Sequence, residues 1–186
     1  MPKIIDNPEQ LILTQAREIL LKDGIEKLSI RRVAKQSKLS VGTIYNYFAN
    51  KEELMARIMI EYWEDYFSII DKVGEEDIGL FDKLKKMYHQ FEKFVDTFYD
   101  IWVRKNNQPI TEYSQQGLER KESFTNKLID KFKKILDGHF YNQATPLSDI
   151  EIPQLAEFIV LNFITLAQMK QLDYTNFEII LRKVIE

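Results

Sequence analysis

Six basic residues, Lys27, Arg31, Arg32, Lys35, Lys38 and Lys51, fall between positions 27 and 51, a stretch that contains no Asp or Glu. Among them stand the hydroxyls of Ser29, Ser40 and Thr43, the amide of Asn46 and the phenols of Tyr45 and Tyr47. Cations with short polar and aromatic side chains suit one chemistry in particular: attraction to phosphates, with donors and acceptors left over for base edges. Charge alone fits a solvated basic face equally well. The formal net charge of the whole chain is −3, so this basicity is local. Catalytic chemistry finds little support. The two histidines, His89 and His139, belong to no metal-binding or catalytic spacing, cysteine is absent, and neither a glycine-rich phosphate loop nor a serine elbow is present. No metal and no cofactor are expected, and an enzyme is the least favoured class.

The spacing of apolar residues predicts the elements that carry this segment. It is helical almost throughout, and the expected class is all-α. Asn7 followed by Pro8 predicts a helix start, with Gln10 placed to close a capping box; Ile12, Ala16, Ile19 and Leu20 form its apolar stripe, and Gly24 ends it. Ser29 caps a short helix with Ile30, Val33 and Ala34 inward. Ser40 caps another, with Val41, Ile44 and Phe48 at core-facing spacing. Two short capped helices around residues 37–39 are the sequence form of a helix-turn-helix. If Val41, Ile44 and Phe48 face inward, Gly42, Thr43, Asn46 and Tyr47 lie on or beside the opposite face, where a major groove can receive them. Gly42 adds no side chain where the helix start must approach DNA. Asn50 with Glu53 opens a longer helix through Leu54, Ile58, Tyr62 and Ile69 towards Gly74, and the dipole at its start suits Lys51 to a phosphate.

Ser29-Ile30-Arg31-Arg32-Val33-Ala34, then Ser40-Val41-Gly42-Thr43-Ile44-Tyr45-Asn46-Tyr47-Phe48 and Asn50-Lys51-Glu52-Glu53-Leu54, resemble the DNA-binding domain of the tetracycline-repressor (TetR) family. The likeness covers roughly residues 8 to 56. It implies an N-terminal three-helix helix-turn-helix domain, a C-terminal helical domain for ligand binding and dimerisation, and a homodimeric repressor that leaves double-stranded operator DNA when a small-molecule effector binds. On the family pattern Arg31 reaches a base edge, where it can hold guanine in a bidentate manner. Ser29, Arg31, Ser40, Val41, Gly42, Thr43, Tyr45, Asn46, Tyr47 and Lys51 are the expected DNA-binding residues. Two positions depart from the family: Arg32 stands where an acid is common, and Lys38 where the turn often has glycine. Lys38 therefore either holds a left-handed conformation, at roughly 1 kcal/mol, or the turn is shaped differently.

A domain division at 1–54 and 55–186 follows. In the second part Leu80 to Trp102 predicts one long helix before the break at Asn106-Asn107-Gln108-Pro109, and Leu118 to Leu136 a second, ended by Gly138. Pro153 starts a third, and Thr175 with Glu178 caps the last. Aromatic residues are abundant here. Tyr66, Tyr88, Phe91, Phe98, Trp102, Phe124 and Phe163 are expected around a mostly apolar effector, although an aromatic stripe at helical spacing also serves as plain core. The last two helices predict a dimer interface containing Phe158, Asn162, Leu166, Met169, Phe177 and Leu181. No stretch has the unbroken apolarity of a signal peptide or membrane span, so a soluble cytoplasmic protein with no membrane partner is expected. A helical interaction protein that keeps the fold without binding DNA is the alternative.

Overall fold

The computed structural model describes residues 6–102, 115–141, 151–169 and 173–185, with no side-chain description for 98–102 and 115–121. Among the described residues it holds eight α-helices and no strand: α1 (Pro8–Asp23), α2 (Ile30–Ser37), α3 (Val41–Tyr47), α4 (Lys51–Glu75), α5 (Leu80–Trp102), α6 (Gln115–Tyr141), α7 (Ile152–Gln168) and α8 (Tyr174–Ile185), with a 3-10 turn at Ile25–Lys27. No helix among these residues is long and apolar enough to cross a membrane. The described residues divide into two compact units. The first runs to Trp63 and includes the end of α5 from Thr97, and the second begins at Glu64.

The first unit is built on one core. Ile12, Leu13, Ala16, Ile19 and Leu20 of α1 meet Ile25 and Leu28, then Ile30, Val33 and Ala34 of α2, Ile44 and Phe48 of the α3 region, and Leu54 and Ile58 of α4. Local chemistry sets each helix start. Asn7 accepts the Gln10 backbone N–H at 3.2 Å, but the Gln10 side chain turns to Glu61 Oε1 at 3.4 Å, so the expected capping box does not close. Gly24 ends α1 at φ 82°, a conformation glycine adopts without penalty. Val41 is another correction. It is 39% exposed, because Ile44 and Phe48 already fill the inward positions and Val41 is the first residue of the helix.

In the second unit Tyr66, Phe67, Ile70 and Val73 of α4 are buried, as are Leu84, Met87, Tyr88 and Phe91 of α5, Leu128, Phe132 and Leu136 of α6, and most of the apolar residues of α7. α4 ends at Glu75, one residue past Gly74, as expected; a Cβ on Gly74 would stand 3.3 Å from Ile135 Cγ1 on α6, so the glycine also serves close helix packing. α6 continues through Gly138 to Tyr141, since a helix tolerates one glycine at about 1 kcal/mol. α8 starts one residue before the expected Thr175 cap. Asp173 accepts the Thr175 N–H at 2.9 Å, a bond that holds its carboxyl below the usual carboxylate range, while Glu178 pairs with Arg182 at 2.8 Å.

Candidate nucleic-acid interface

The segment from Ser29 to Lys51 is shaped by side chains bonding to their own backbone. Ser29 Oγ accepts the Arg32 N–H at 3.2 Å and starts α2; Ser40 Oγ accepts the Thr43 N–H at 3.0 Å and starts α3. Each bond satisfies a helix-start donor that would otherwise need water. Between the helices Lys38 takes the left-handed conformation at φ 57° and ψ 32°, and the Leu39 N–H returns to Ala34 O at 3.0 Å. Of the two forms open to this turn, the strained one is present. Arg32 also has a physical account, because its guanidinium pairs with Asp23 at the end of α1.

α3 is thus held by one face and open on the other. Ile44 and Phe48 are buried, while Gly42, Tyr45, Asn46 and Tyr47 are exposed, the two tyrosines at 53% and 40%. Thr43 is half-buried, and its hydroxyl bonds Ser40 Oγ at 2.8 Å. Ser29 and Arg31 are exposed at the start of α2, with Lys35 and Lys38 exposed further along. Lys51 is partly buried. Its ammonium donates to Ile25 O at 2.9 Å and ties the start of α4 to the 3-10 turn, which leaves two of its three protons for other acceptors. Arg31, Gly42, Tyr45, Asn46 and Tyr47 therefore stand on accessible surface, whereas Ser29 and Ser40 act first as caps. Sequence reasoning missed Glu61, a buried carboxylate of α4 that accepts from Gln10 and from Arg17 at 3.5 Å. The Arg17 guanidinium also lies 4.2 Å from the centre of the Tyr62 ring. No spacing rule links partners more than 40 residues apart.

The expected effector residues fall into packed aromatic groups. Tyr66 donates its hydroxyl to Met87 O at 3.2 Å, and its ring lies 5.4 Å from Phe91; burial pushes its phenol pKa well up. Tyr88 stacks on Tyr174 at 4.6 Å and meets Phe163 edge-on at 5.2 Å. Phe124 faces Phe67 at 6.2 Å. The side chains of Phe98 and Trp102 lie outside the described residues. A cleft of about 630 Å³ opens elsewhere, among Ile70, Gly74, Ile78, Lys83, Lys134 and His139, and none of the five expected residues whose side chains are described lines it. Burial, and then the nearby Lys83, lower the pKa of His139 there.

Of the expected dimer residues, Leu166, Phe177 and Leu181 are buried within this one chain and cannot form an outer face. Phe158 and Met169 are exposed, and Asn162 is half-buried with its amide donating to Phe158 O at 2.8 Å. Leu161, Ile179, Ile180 and Val184, which the sequence reading left out, are exposed on the same two helices. The correction follows from helix geometry. An interfacial helix needs two apolar stripes, one for its own core and one for the partner, and spacing alone does not say which is which.

Residues 12–58 match the family described as bacterial regulatory proteins, tetR family. The chain is 24% identical over 130 residues to a fatty acid metabolism regulator protein of Bacillus subtilis, covering 68% of this chain and 63% of that protein. Over 76 residues it is 33% identical to a nicotine-responsive transcriptional repressor of Paenarthrobacter nicotinovorans, covering 40% and 39%. The matched stretches span between 38% and 63% of the first three curated relatives. In fold it resembles a transcriptional regulator from Cytophaga hutchinsonii, with a TM-score of 0.73 at 18% identity over 97% of this chain and 95% of that one. Residues 12–58, which hold the N-terminal helix-turn-helix, are thus similar to the tetR family of bacterial regulatory proteins.

Proposed function

We propose that the chain is a cytoplasmic, DNA-binding transcription regulator, in which residues 1–54 bind an operator and residues 55–186 dimerise and receive a small-molecule effector. The observation that carries this reading is α3: capped, anchored by Ile44 and Phe48, and presenting Gly42, Tyr45, Asn46 and Tyr47 outward beside the exposed cations Arg31, Lys35 and Lys38. In a two-fold dimer each α3 enters a major groove, and the operator has two related half-sites about one helical turn apart or somewhat more. Arg31, Val41, Thr43, Asn46 and Tyr47 lie at or near base edges; Ser29, Ser40, Tyr45 and Lys51 support the helix and its phosphate contacts.

The dimer is assigned to the outer stripe of α7 and α8, namely Phe158, Leu161, Met169, Ile179, Ile180 and Val184. Six exposed apolar side chains on two neighbouring helices form the kind of patch that marks an interface. Release by a mostly apolar effector draws support from two relatives, one described as nicotine-responsive and the other as a regulator of fatty acid metabolism. Gel shifts on genomic fragments of the source organism test the reading, with the expectation of a discrete complex that survives competitor DNA. Binding that competitor abolishes in proportion to its mass would leave only a basic surface.

A further inference from the structure

We infer that the base pairs beneath α3 are A·T pairs, with Val41 set against a thymine methyl and Asn46 against an adenine. The inference rests on the DNA-binding reading above and narrows it to a class of half-site. All seven residues of α3 are uncharged. In the major groove guanine is read chiefly by Arg or Lys at O6 and N7, and cytosine by a carboxylate at N4, so this helix carries neither kind of G·C reader. Thr43 has a hydroxyl that suits either pair, but that hydroxyl is bonded to the cap Ser40 at 2.8 Å.

What α3 does offer matches A·T. At 100° per residue Asn46 lies opposite the inward pair Ile44 and Phe48, with Gly42 one turn before it leaving space for close approach. An asparagine amide in that position pairs with adenine N6 and N7. Val41 begins the helix, the end of a recognition helix that meets base edges, and leaves 39% of its surface exposed. β-Branching gives it no advantage as a helix former. In a major groove the apolar counterpart of its isopropyl group is the C5-methyl of thymine. Guanine is left to Arg31, exposed on α2 outside this helix.

Duplexes selected from a random pool by the full-length chain should contain A·T pairs under α3 in both half-sites. Replacing thymine by deoxyuridine removes only the methyl and leaves the protein untouched. One such replacement in a single half-site should weaken binding by about 3- to 5-fold, the value of one methyl group, and Val41→Ala should abolish that difference. Asn46→Ala should relax the preference at a second pair by roughly 5- to 150-fold, with no change on scrambled duplex. Uracil without effect at every thymine, or G·C at the pairs whose preference the two variants alter, would overturn the inference. A pool that yields no enriched sequence would overturn the DNA-binding reading itself.

Discussion

Gly42 is a residue the free protein could replace. A Cβ there would meet nothing closer than Ser40 Oγ at 3.7 Å, and an exposed helical glycine is less stable than alanine by about 0.5 to 1 kcal/mol. Gly42→Ala should therefore raise the melting temperature while lowering operator affinity. Melts and binding isotherms on one preparation check this, and unchanged affinity would remove close approach as the reason for the glycine. Arg31 and Lys51 separate two kinds of contact. Arg31→Ala should cost about 1 to 3 kcal/mol on the operator and almost nothing on scrambled DNA. Lys51→Met should weaken both duplexes alike and reduce the salt slope of log K by about 1 per chain. Because its ammonium also bonds Ile25 O, Lys51→Met should in addition lower stability by about 1 kcal/mol. A salt slope that stays put while stability falls would make Lys51 a purely structural tie.

Among the elements, the turn from α2 to α3 carries a measurable strain. Lys38 holds φ 57°, where a side chain costs roughly 1 kcal/mol and glycine costs far less. Lys38→Gly should stabilise the first unit by up to about 1 kcal/mol in chemical denaturation, and should at the same time remove one exposed cation beside α3. If stability is unchanged or falls, Lys38 is making contacts that offset its conformation. The two caps act differently. Ser29→Ala removes the acceptor for the Arg32 N–H and should cost about 1 kcal/mol, within the usual range for a lost cap. Ser40 also engages the Thr43 hydroxyl, so its loss would free Thr43 as well as fray the helix.

For the whole molecule, the two stripes of α7 and α8 predict opposite outcomes for similar substitutions. Ile180 is 57% exposed, and Ile180→Glu should leave helix content and melting behaviour near those of the parent while converting a dimer to monomers in sedimentation. Phe177 is buried against Phe163 at 6.0 Å, and Phe177→Glu should unfold the second unit by placing an unpaired charge in the core. A parent chain that sediments as a monomer at micromolar concentration would dismiss the dimer. Effector release needs only modest energy: tenfold weaker operator binding corresponds to a preference of about 1.4 kcal/mol for the non-binding state.

The helical class, the positions of α2 and α3, and their serine caps were legible in the sequence because each depends on residues within one or two turns. Apolar spacing and a hydroxyl before the first turn suffice to start a helix wherever it is packed. The same local information explains the Lys38 turn, which sequence reduced to two forms. What lay beyond it depends on partners distant along the chain. The Gln10 side chain turns from its cap to Glu61, and Gly74, beside the end of α4, also marks a close approach to Ile135. Val41 stays 39% exposed because Ile44 and Phe48 already fill the core, and Leu166, Phe177 and Leu181 turn inward while Phe158, Leu161 and Ile180 remain outside. The aromatic residues of the second unit pack on one another, and the cleft opens beside Lys83 and His139. A helix stripe has the same period whether it meets its own core, a ligand or a second chain, and only tertiary packing decides which.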